Sequence, residues 1–260
     1  MNERKFKDQF VFAVLEDLEH SNIVLSYAQA MAEMLQKGLV LLHMCPDPAA
    51  AEPRLKELQQ QLITHHASLT ISYMALKGKL KDAVDALPEH MGAVLFVVQA
   101  RKHLLRDFAD CRVAYFTVQA PYKPIQQVAL TVDYRKESKE KYIWASYFAR
   151  FGHHSLTAHH YHYRDEGLRY KCRANLQFMR KLYTPLGISA AEQELPRRGS
   201  YPDCALLRTS PPDLLIAVTT KEMDFLEWFA GTQEDRTLFN PSHTPVLYLN
   251  PRDDIYVLCE

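Results

Sequence analysis

The sequence has no excess of charge of either sign, because 31 lysines and arginines are balanced by 31 aspartates and glutamates. Such a chain offers no basic surface that would hold nucleic acid by releasing counterions. No apolar run approaches the roughly 18 residues that would cross a bilayer. The amino-terminal stretch is charged and lacks the apolar segment of a secretory signal,. These absences predict a cytoplasmic protein with neither a nucleic-acid nor a membrane partner.

Cysteine pairs and familiar catalytic motifs are also absent. The five cysteines are odd in number and form no Cys-x-x-Cys pair, which is typical of a reduced cytosolic chain. The sequence contains no GxSxG, HExxH or Walker A pattern,. Cys111 and Cys204 have no assignable base nearby that would make them nucleophiles. We therefore predict no catalytic residue and no enzymatic activity.

Histidines are grouped in the second half of the sequence, at His153, His154, His159, His160 and His162. Alternation along a strand would place His160 and His162 on one face and His159 on the other. A zinc site needs three or four converging ligands, and this spacing fixes no such set. We predict solvated or core-edge histidines and no metal site.

An internal repeat is the most informative feature that is present. With Glu16 placed over Asp133, both copies begin with an apolar run that ends at the carboxylate. The other matches are Ser21 with Ser138, His43 with His160, and residues 93–98 with residues 213–218. A period above 100 residues indicates a duplicated domain rather than a solenoid. We predict domains at 1–122 and 123–260, with the proline-flanked segment 121–124 as the linker.

Strand and helix signals alternate in both copies. The predicted strands are residues 10–15, 39–44, 68–76, 93–98 and 113–118, then 128–132, 156–163, 188–195, 213–218 and 245–249. Strands of this kind, separated by helices, favour parallel βαβ crossovers with both faces of the sheet covered. The predicted fold class is α/β, with two tandem Rossmann-like doubly wound units that each contain a five-stranded parallel sheet.

Helix boundaries are predicted from capping residues and prolines. Ser21 is a predicted N-cap, and Gly38 is predicted to end the helix that Ser21 opens. Residues 46–53 contain three prolines and are predicted to break the chain, so that the next helix runs over 54–66,. A long helix over 166–186 is predicted to end at Gly187.

This plan resembles the universal stress protein family. The resemblance rests on the carboxylate that ends the first strand, the serine that opens the helix, and the Leu-Leu-His sequence that ends at His43. It covers nearly the whole chain, in tandem form. ATP-binding members of that family carry a loop of pattern G-x2-G-x9-G-[S/T] after the fourth strand. The same spacing here places Val218, Lys221 and Gly231-Thr232 at the glycine and hydroxyl positions.

Of these positions, only Gly231 and Thr232 have the residue types of the family pattern. Val218 and Lys221 carry Cβ atoms where glycine would let main-chain N–H groups close on phosphate oxygens, although Lys221 also supplies a point charge. The nucleotide-binding residues that the resemblance implies are Asp133, Thr219, Lys221, Gly231 and Thr232. An equal interpretation makes Asp133 a strand-end carboxylate that caps a loop. We predict no cofactor, with ATP as the alternative.

The first unit departs further from the family pattern. Glu16 replaces the aspartate that the family uses near the nucleotide. Residues 99–111 contain no glycine. They are too few for a phosphate loop and a full helix, because a helix rises only ~1.5 Å per residue and the chain must return to the sheet. We predict a connection of at most two turns there, and no bound nucleotide.

Two degraded loops favour a non-catalytic role. We predict a tandem universal stress protein that acts in the stress response by binding or signalling to an unidentified protein partner, with weak or lost nucleotide binding. The alternative is an adenine-nucleotide-binding protein that uses the second unit, with slow hydrolysis. A third class is a small-molecule or metal sensor. We expect the units to pack as an internal pseudo-dimer, within a monomer or a homodimer.

Overall fold

The computed structural model describes residues 9–65, 68–134, 139–161, 163–195, 202–219 and 233–251. Contacts within the chain divide it into two compact units, Met1–Tyr122 and Lys123–Glu260, which are called unit 1 and unit 2 below. The division falls within the proline-flanked segment 121–124.

Unit 1 alternates strands and helices. Its elements are β1 (Phe10–Leu15), α1 (Asn22–Leu35), β2 (Gly38–Met44), α2 (Pro48–His65), β3 (Ile71–Leu76), α3 (Leu80–Met91), β4 (Ala93–Gln99), α4 (Leu104–Asp107) and β5 (Ala114–Val118). The strands lie in the order β3-β2-β1-β4-β5, and each described pair is parallel. β1 is buried from Val11 to Leu15, as expected for a parallel strand with helices on both faces of its sheet.

Unit 2 repeats this plan. Its elements are β6 (Gln127–Val132), α5 (Lys139–Phe151), β7 (Ser155–Tyr161), α6 (Glu166–Tyr183) with a 3₁₀ turn at Thr184–Leu186, β8 (Ala190–Leu195), α7 (Pro202–Thr209), β9 (Leu214–Val218), α8 (Gln233–Leu238) and β10 (Val246–Leu249). The strands lie in the order β10-β9-β6-β7-β8, again with parallel described pairs. The predicted α/β class, with a Rossmann-like sheet of five parallel strands in each unit, is confirmed.

The strand register matches the repeat in the sequence. Leu15 lies opposite His43 in unit 1, and Val132 lies opposite His160 in unit 2. The carboxylates Glu16 and Asp133 therefore follow equivalent strand ends. The same register relates each position of α1 to the position 117 residues later in α5, which gives pairs of residues that can be compared directly.

The predicted ends of α1 were partly wrong. Gln36, rather than Gly38, adopts the left-handed conformation at the end of α1, with φ 55°. Its N–H group contacts the carbonyls of Ala32 and Glu33, so main-chain hydrogen bonds offset the cost of that conformation. Ser21 stands at the N-cap position, but its side chain makes no capping hydrogen bond.

Residues 46–53 were wrongly predicted to break the chain, because α2 begins at Pro48 and contains Pro53. A proline at the first helical position loses no helical hydrogen bond. The Asp47 carboxylate accepts from the N–H groups of Ala49 and Ala50, at 3.2 and 3.4 Å, and so caps the helix start. The predicted end of the long helix at Gly187 is confirmed, with φ 66°.

Helices of unit 2 cover different faces of its sheet. Arg180 of α6 binds Glu192 of β8, whereas Asp203 of α7 binds Thr131 of β6. Thr131 lies opposite His159, and Glu192 lies opposite the neighbouring residue Ala158. Because neighbouring strand residues point to opposite faces, α6 and α7 lie on opposite sides of the sheet. In the described part of the chain, no helix is both long and apolar enough to span a membrane.

Candidate functional site

The strand order places a crevice at the carboxyl ends of the first and fourth strands of each unit. These are β1 and β4 in unit 1, and β6 and β9 in unit 2. Connections from these two strands leave the sheet in opposite directions, which is where open α/β sheets bind ligands. Among the described residues, the predicted site residues Asp133 and Thr219 directly follow two of these strand ends.

An ion-pair triad occupies the crevice edge of unit 1. Arg101, two residues after β4, donates from Nε to Oε1 of Glu16 and from a terminal nitrogen to Oδ2 of Asp107. These side chains are 33%, 40% and 29% exposed, respectively. Two carboxylates face one guanidinium, so the triad carries a net negative charge. A polyphosphate would meet this charge and would find the arginine already bound.

The chain behind this triad is short and well packed. The connection from β4 to β5 contains α4, a helix of four residues, so the prediction of at most two turns is confirmed. Phe108 is fully buried. Its ring stacks on Tyr115 at a centroid distance of 4.6 Å and meets Phe96 edge-on at 5.7 Å. Aromatic packing therefore holds this connection against the face of the sheet.

His43 has a structural contact at the same edge. Its Nδ1 lies 2.6 Å from the carbonyl oxygen of Leu15. Because a carbonyl oxygen only accepts, this ring nitrogen carries the proton. His43, the penultimate residue of β2, therefore fixes the end of β1, immediately before Glu16.

Asp133 in unit 2 follows β6 as predicted, but it is only 2% exposed. Its main-chain carbonyl accepts from Nδ2 of Asn175 on α6, at 2.8 Å. Lys141 on α5 is 1% exposed. Both charges act on Cys172, whose thiol pKa is raised to about 11: burial raises it most, Asp133 also raises it, and Lys141 lowers it. The carboxylate is thus part of a buried polar cluster and presents almost no surface to a ligand.

Thr219 is held by the end of β10. Its hydroxyl donates to Oδ1 of Asn250 at 2.7 Å, and its N–H group donates to the carbonyl of Leu249 at 2.9 Å. The hydroxyl proton is therefore already used. The remaining predicted residues, Lys221, Gly231 and Thr232, lie outside the described residues, so their nucleotide-binding role stays a prediction.

A polar group that was not predicted lies on the α7 face of unit 2. The Thr131 hydroxyl donates to Oδ1 of Asp203 at 2.6 Å, and both side chains are buried. His159 is 5% exposed, and its Nδ1 finds no hydrogen-bond partner among the described residues. The buried hydroxyl of Tyr161 also finds none there. Strand alternation would have placed His159 and Tyr161 on one face, but no local signal connects that face to Asp203.

Three tyrosines meet at the carboxyl edge of unit 2. Tyr134 follows Asp133 and is 40% exposed. Its ring meets that of Tyr163 edge-on at 5.4 Å, and Tyr163 lies 6.3 Å from the ring of Tyr161. Aromatic faces of this kind can stack on nucleobases. The sequence pattern did not single them out, because they follow two different strands.

Cys111 is not a reactive thiol, and the described histidines belong to no metal-binding group. Burial raises the pKa of the Cys111 thiol to about 12, which keeps it protonated and unreactive. Among the described positions there is no group of three histidine, cysteine or carboxylate side chains that could hold a metal ion. His162 lies outside those positions.

Comparison with known proteins identifies the fold. No protein-family model and no curated protein sequence matches the chain. A universal stress protein from Archaeoglobus fulgidus DSM 4304 is 14% identical with a TM-score of 0.70, over 94% of this chain and 97% of that one. A candidate universal stress protein from Pseudomonas aeruginosa UCBPP-PA14 is 16% identical with a TM-score of 0.64, over 98% and 97% of the two chains.

The same fold also occurs in another kind of protein. The cytoplasmic domain of a prokaryotic cation chloride cotransporter is 12% identical with a TM-score of 0.61, over 95% of this chain and 96% of that one. Function must therefore be argued from the site rather than from the fold. Over nearly its whole length, the chain has the fold of the universal stress proteins.

Proposed function

We propose that this chain is a tandem universal stress protein that acts by binding or signalling in the stress response, without catalysis and with weak or lost nucleotide binding. The observation that carries the proposal is the Glu16–Arg101–Asp107 triad at the crevice of unit 1. It supports a role in which this edge of the sheet is closed by the chain's own side chains.

The triad opposes phosphate binding more than it stabilises the fold. Partly exposed ion pairs contribute about 0–1 kcal/mol each, so holding the triad together is not its main effect. A polyphosphate would have to separate Arg101 from both carboxylates and then lie beside them. Like charges placed together oppose association. Arg101 therefore acts as an internal substitute for a bound cation rather than as a phosphate ligand.

Unit 2 supports the same proposal through burial. A buried lysine needs a compensating charge, and Asp133 is a buried carboxylate that acts on the same thiol as Lys141. We infer that Asp133 and Lys141 compensate each other within the core. An aspartate in that role is a structural residue, which agrees with the loop-capping interpretation rather than with the nucleotide-binding one.

The alternative function is adenine-nucleotide binding by unit 2, with slow hydrolysis. It would use Asp133, Thr219, Lys221, Gly231 and Thr232. The observation that favours it is the exposed ring of Tyr134, which lies beside Tyr163 at the crevice edge and offers a surface for a base. Under this alternative, the base contacts come from side chains that the glycine-loop pattern does not include.

Analysis of the purified full-length chain separates the two functions. Denaturation followed by chromatography should release no stoichiometric nucleotide if the proposal is correct. Co-purified adenine nucleotide in the wild type would favour the alternative. In that case Tyr134→Ala should reduce the retained amount, whereas Tyr170→Ala serves as the control because Tyr170 is a 75% exposed residue on α6. Equal retention by both variants would remove the stacking argument.

A further inference from the structure

A cavity of about 460 Å³ opens at the amino-terminal edge of the sheet in unit 2. One wall is the end of α5 and the two residues before β7, and the other is the turn 186–189 before β8. The cavity is shallow and open to solvent, and its volume falls within the usual range for small-molecule sites,. The cavity lies at the opposite edge of the sheet from the crevice discussed above, so it is a separate site.

The lining of the cavity carries one permanent positive charge, on Arg150. Arg150, His153 and His154 line it, and no aspartate or glutamate does. Within the described part of the chain, the guanidinium of Arg150 has no carboxylate partner and lies over the ring of Phe151, at 5.1 Å. Asp213 acts on His154, but its carboxylate accepts the main-chain N–H groups of residues 126 and 127, at 3.0 and 2.9 Å.

Local packing positions the imidazole of His154. His153 has φ 55°, and the His154 ring packs against Phe148 at 5.9 Å. A Cβ atom added to Gly152 would lie 2.2 Å from Nε2 of His154, so this close approach requires glycine. The ring of His154 is therefore folded back over the end of α5, toward the cavity.

Comparison with unit 1 separates what the fold requires from what is particular to unit 2. The strand register pairs Gln36 with His153, and Gln36 also has φ 55°. The left-handed residue after this helix is thus a property of the repeat. The positive charge of Arg150 is particular to unit 2, because the equivalent residue in unit 1 is Glu33. An arginine at the end of this helix is therefore not needed to complement the helix dipole.

We propose that this cavity binds the oxyanion group, phosphate or carboxylate, of a small organic molecule. Arg150 supplies the permanent charge and a planar donor geometry that matches an oxyanion. His153 and His154 supply further N–H donors. Leu186 and Ile188 contact the apolar part of the ligand, and Ser189 offers a hydroxyl at the rim.

The protonation of His154 gives the proposal a pH signature. Burial lowers the pKa of His154, the neighbouring His153 lowers it further, and Asp213 raises it. A bound anion favours the charged imidazole, so binding takes up a proton. The affinity should therefore rise as the pH falls from 8 to 6.

The test is an NMR titration of the full-length chain, with the ring signals of His153 and His154 as the readout. Sulfate is the first probe because its charge is constant over this pH range. Inorganic phosphate and succinate then distinguish a phosphoryl from a carboxylate source. Chloride at equal ionic strength is the reference for general screening.

We expect saturable shifts at both histidines, with tighter binding at pH 6 than at pH 8. Arg150→Gln should weaken the binding about three- to tenfold, as expected for losing one partly exposed charged contact. Arg173→Gln, on the exposed surface of α6, is the control and should leave the affinity unchanged. The proposal is overturned if the shifts do not saturate, if they are independent of pH, or if both variants behave alike.

Discussion

In unit 1, a partly exposed ion-pair triad closes the carboxyl edge of the sheet. In unit 2, an aspartate and a lysine are buried near the equivalent strand end. Both carboxylates follow equivalent strands, at Glu16 and Asp133. Glu16 is 40% exposed on its side chain and Asp133 is only 2% exposed. Energetically, the first is a surface interaction and the second belongs to the core. The same strand order is therefore compatible with two different arrangements of charged side chains at the carboxyl edge, where open α/β sheets bind ligands.

The difference also shows what replaces a phosphate loop. In unit 1 a four-residue helix, α4, and the buried ring of Phe108 occupy the connection after β4. The connection is therefore held in place by packed apolar side chains and has no glycine-rich backbone.

The largest effect is expected at Phe108. Phe108→Ala should lower the free energy of unfolding by about 3–5 kcal/mol, because a fully buried aromatic ring leaves a cavity. Urea denaturation of the full-length chain measures this change. Phe239→Ala is the control, since Phe239 is 48% exposed and its loss should cost at most about 0.5 kcal/mol. A small loss at Phe108 would mean that the α4 connection is not held by packing.

The strand-end carboxylates should differ in their effect on stability. Asp133→Asn should destabilise the chain by about 3 kcal/mol, because it leaves the charge of Lys141 buried without compensation. Glu16→Gln, its match in unit 1, should cost about 0–1 kcal/mol, as for other exposed pairs. If Asp133→Asn proved as mild as Glu16→Gln, the aspartate would not be a core residue and a ligand role would regain support.

A smaller effect is expected on acidification, and it should be confined to unit 2. Burial lowers the pKa of His159, and His160 lowers it further. The folded state therefore takes up this proton only at lower pH than the unfolded chain, in which the pKa is about 6.5. Stability is full above that pH and falls below it, by at most about 1.4 kcal/mol at pH 5.5.

Hydrogen exchange at pH 7.5 and 5.5 can follow this loss strand by strand. Amides of β7 should lose protection on acidification more than those of β2. His159→Gln removes the titrating group and should reduce the difference between the two pH values. An equal loss in both strands would show that the histidine is not responsible.

The strands could be predicted because burial on both faces of a parallel sheet requires continuous apolar runs, such as 10–15 and 93–98. Helix ends were less accessible. Gln36 takes the position expected for glycine because main-chain hydrogen bonds hold it there. Pro48 begins α2 where prolines were expected to break it. In both places hydrogen bonds to residues within four positions decide the conformation, and the preference of a single residue type does not reveal them.

The site was harder to predict than the fold. Asp133 and Glu16 were found from the repeat, but their partners come from distant segments. Arg101 lies 85 residues after Glu16. Lys141 is on α5, and the apolar pattern of that helix does not indicate that a lysine is buried there. The Arg150 cavity likewise combines two segments that no periodicity connects. Charge compensation across such separations depends on folded geometry.

Calorimetric titration of the full-length wild-type chain with ATP tests the central claim most directly. If both carboxyl edges are closed by side chains, the heat should not saturate below roughly millimolar ATP, which corresponds to about 4 kcal/mol of binding at most. Arg101→Gln should leave that result unchanged if unit 2 is closed as well. Saturable binding of ATP at micromolar concentration by the wild type would contradict the account.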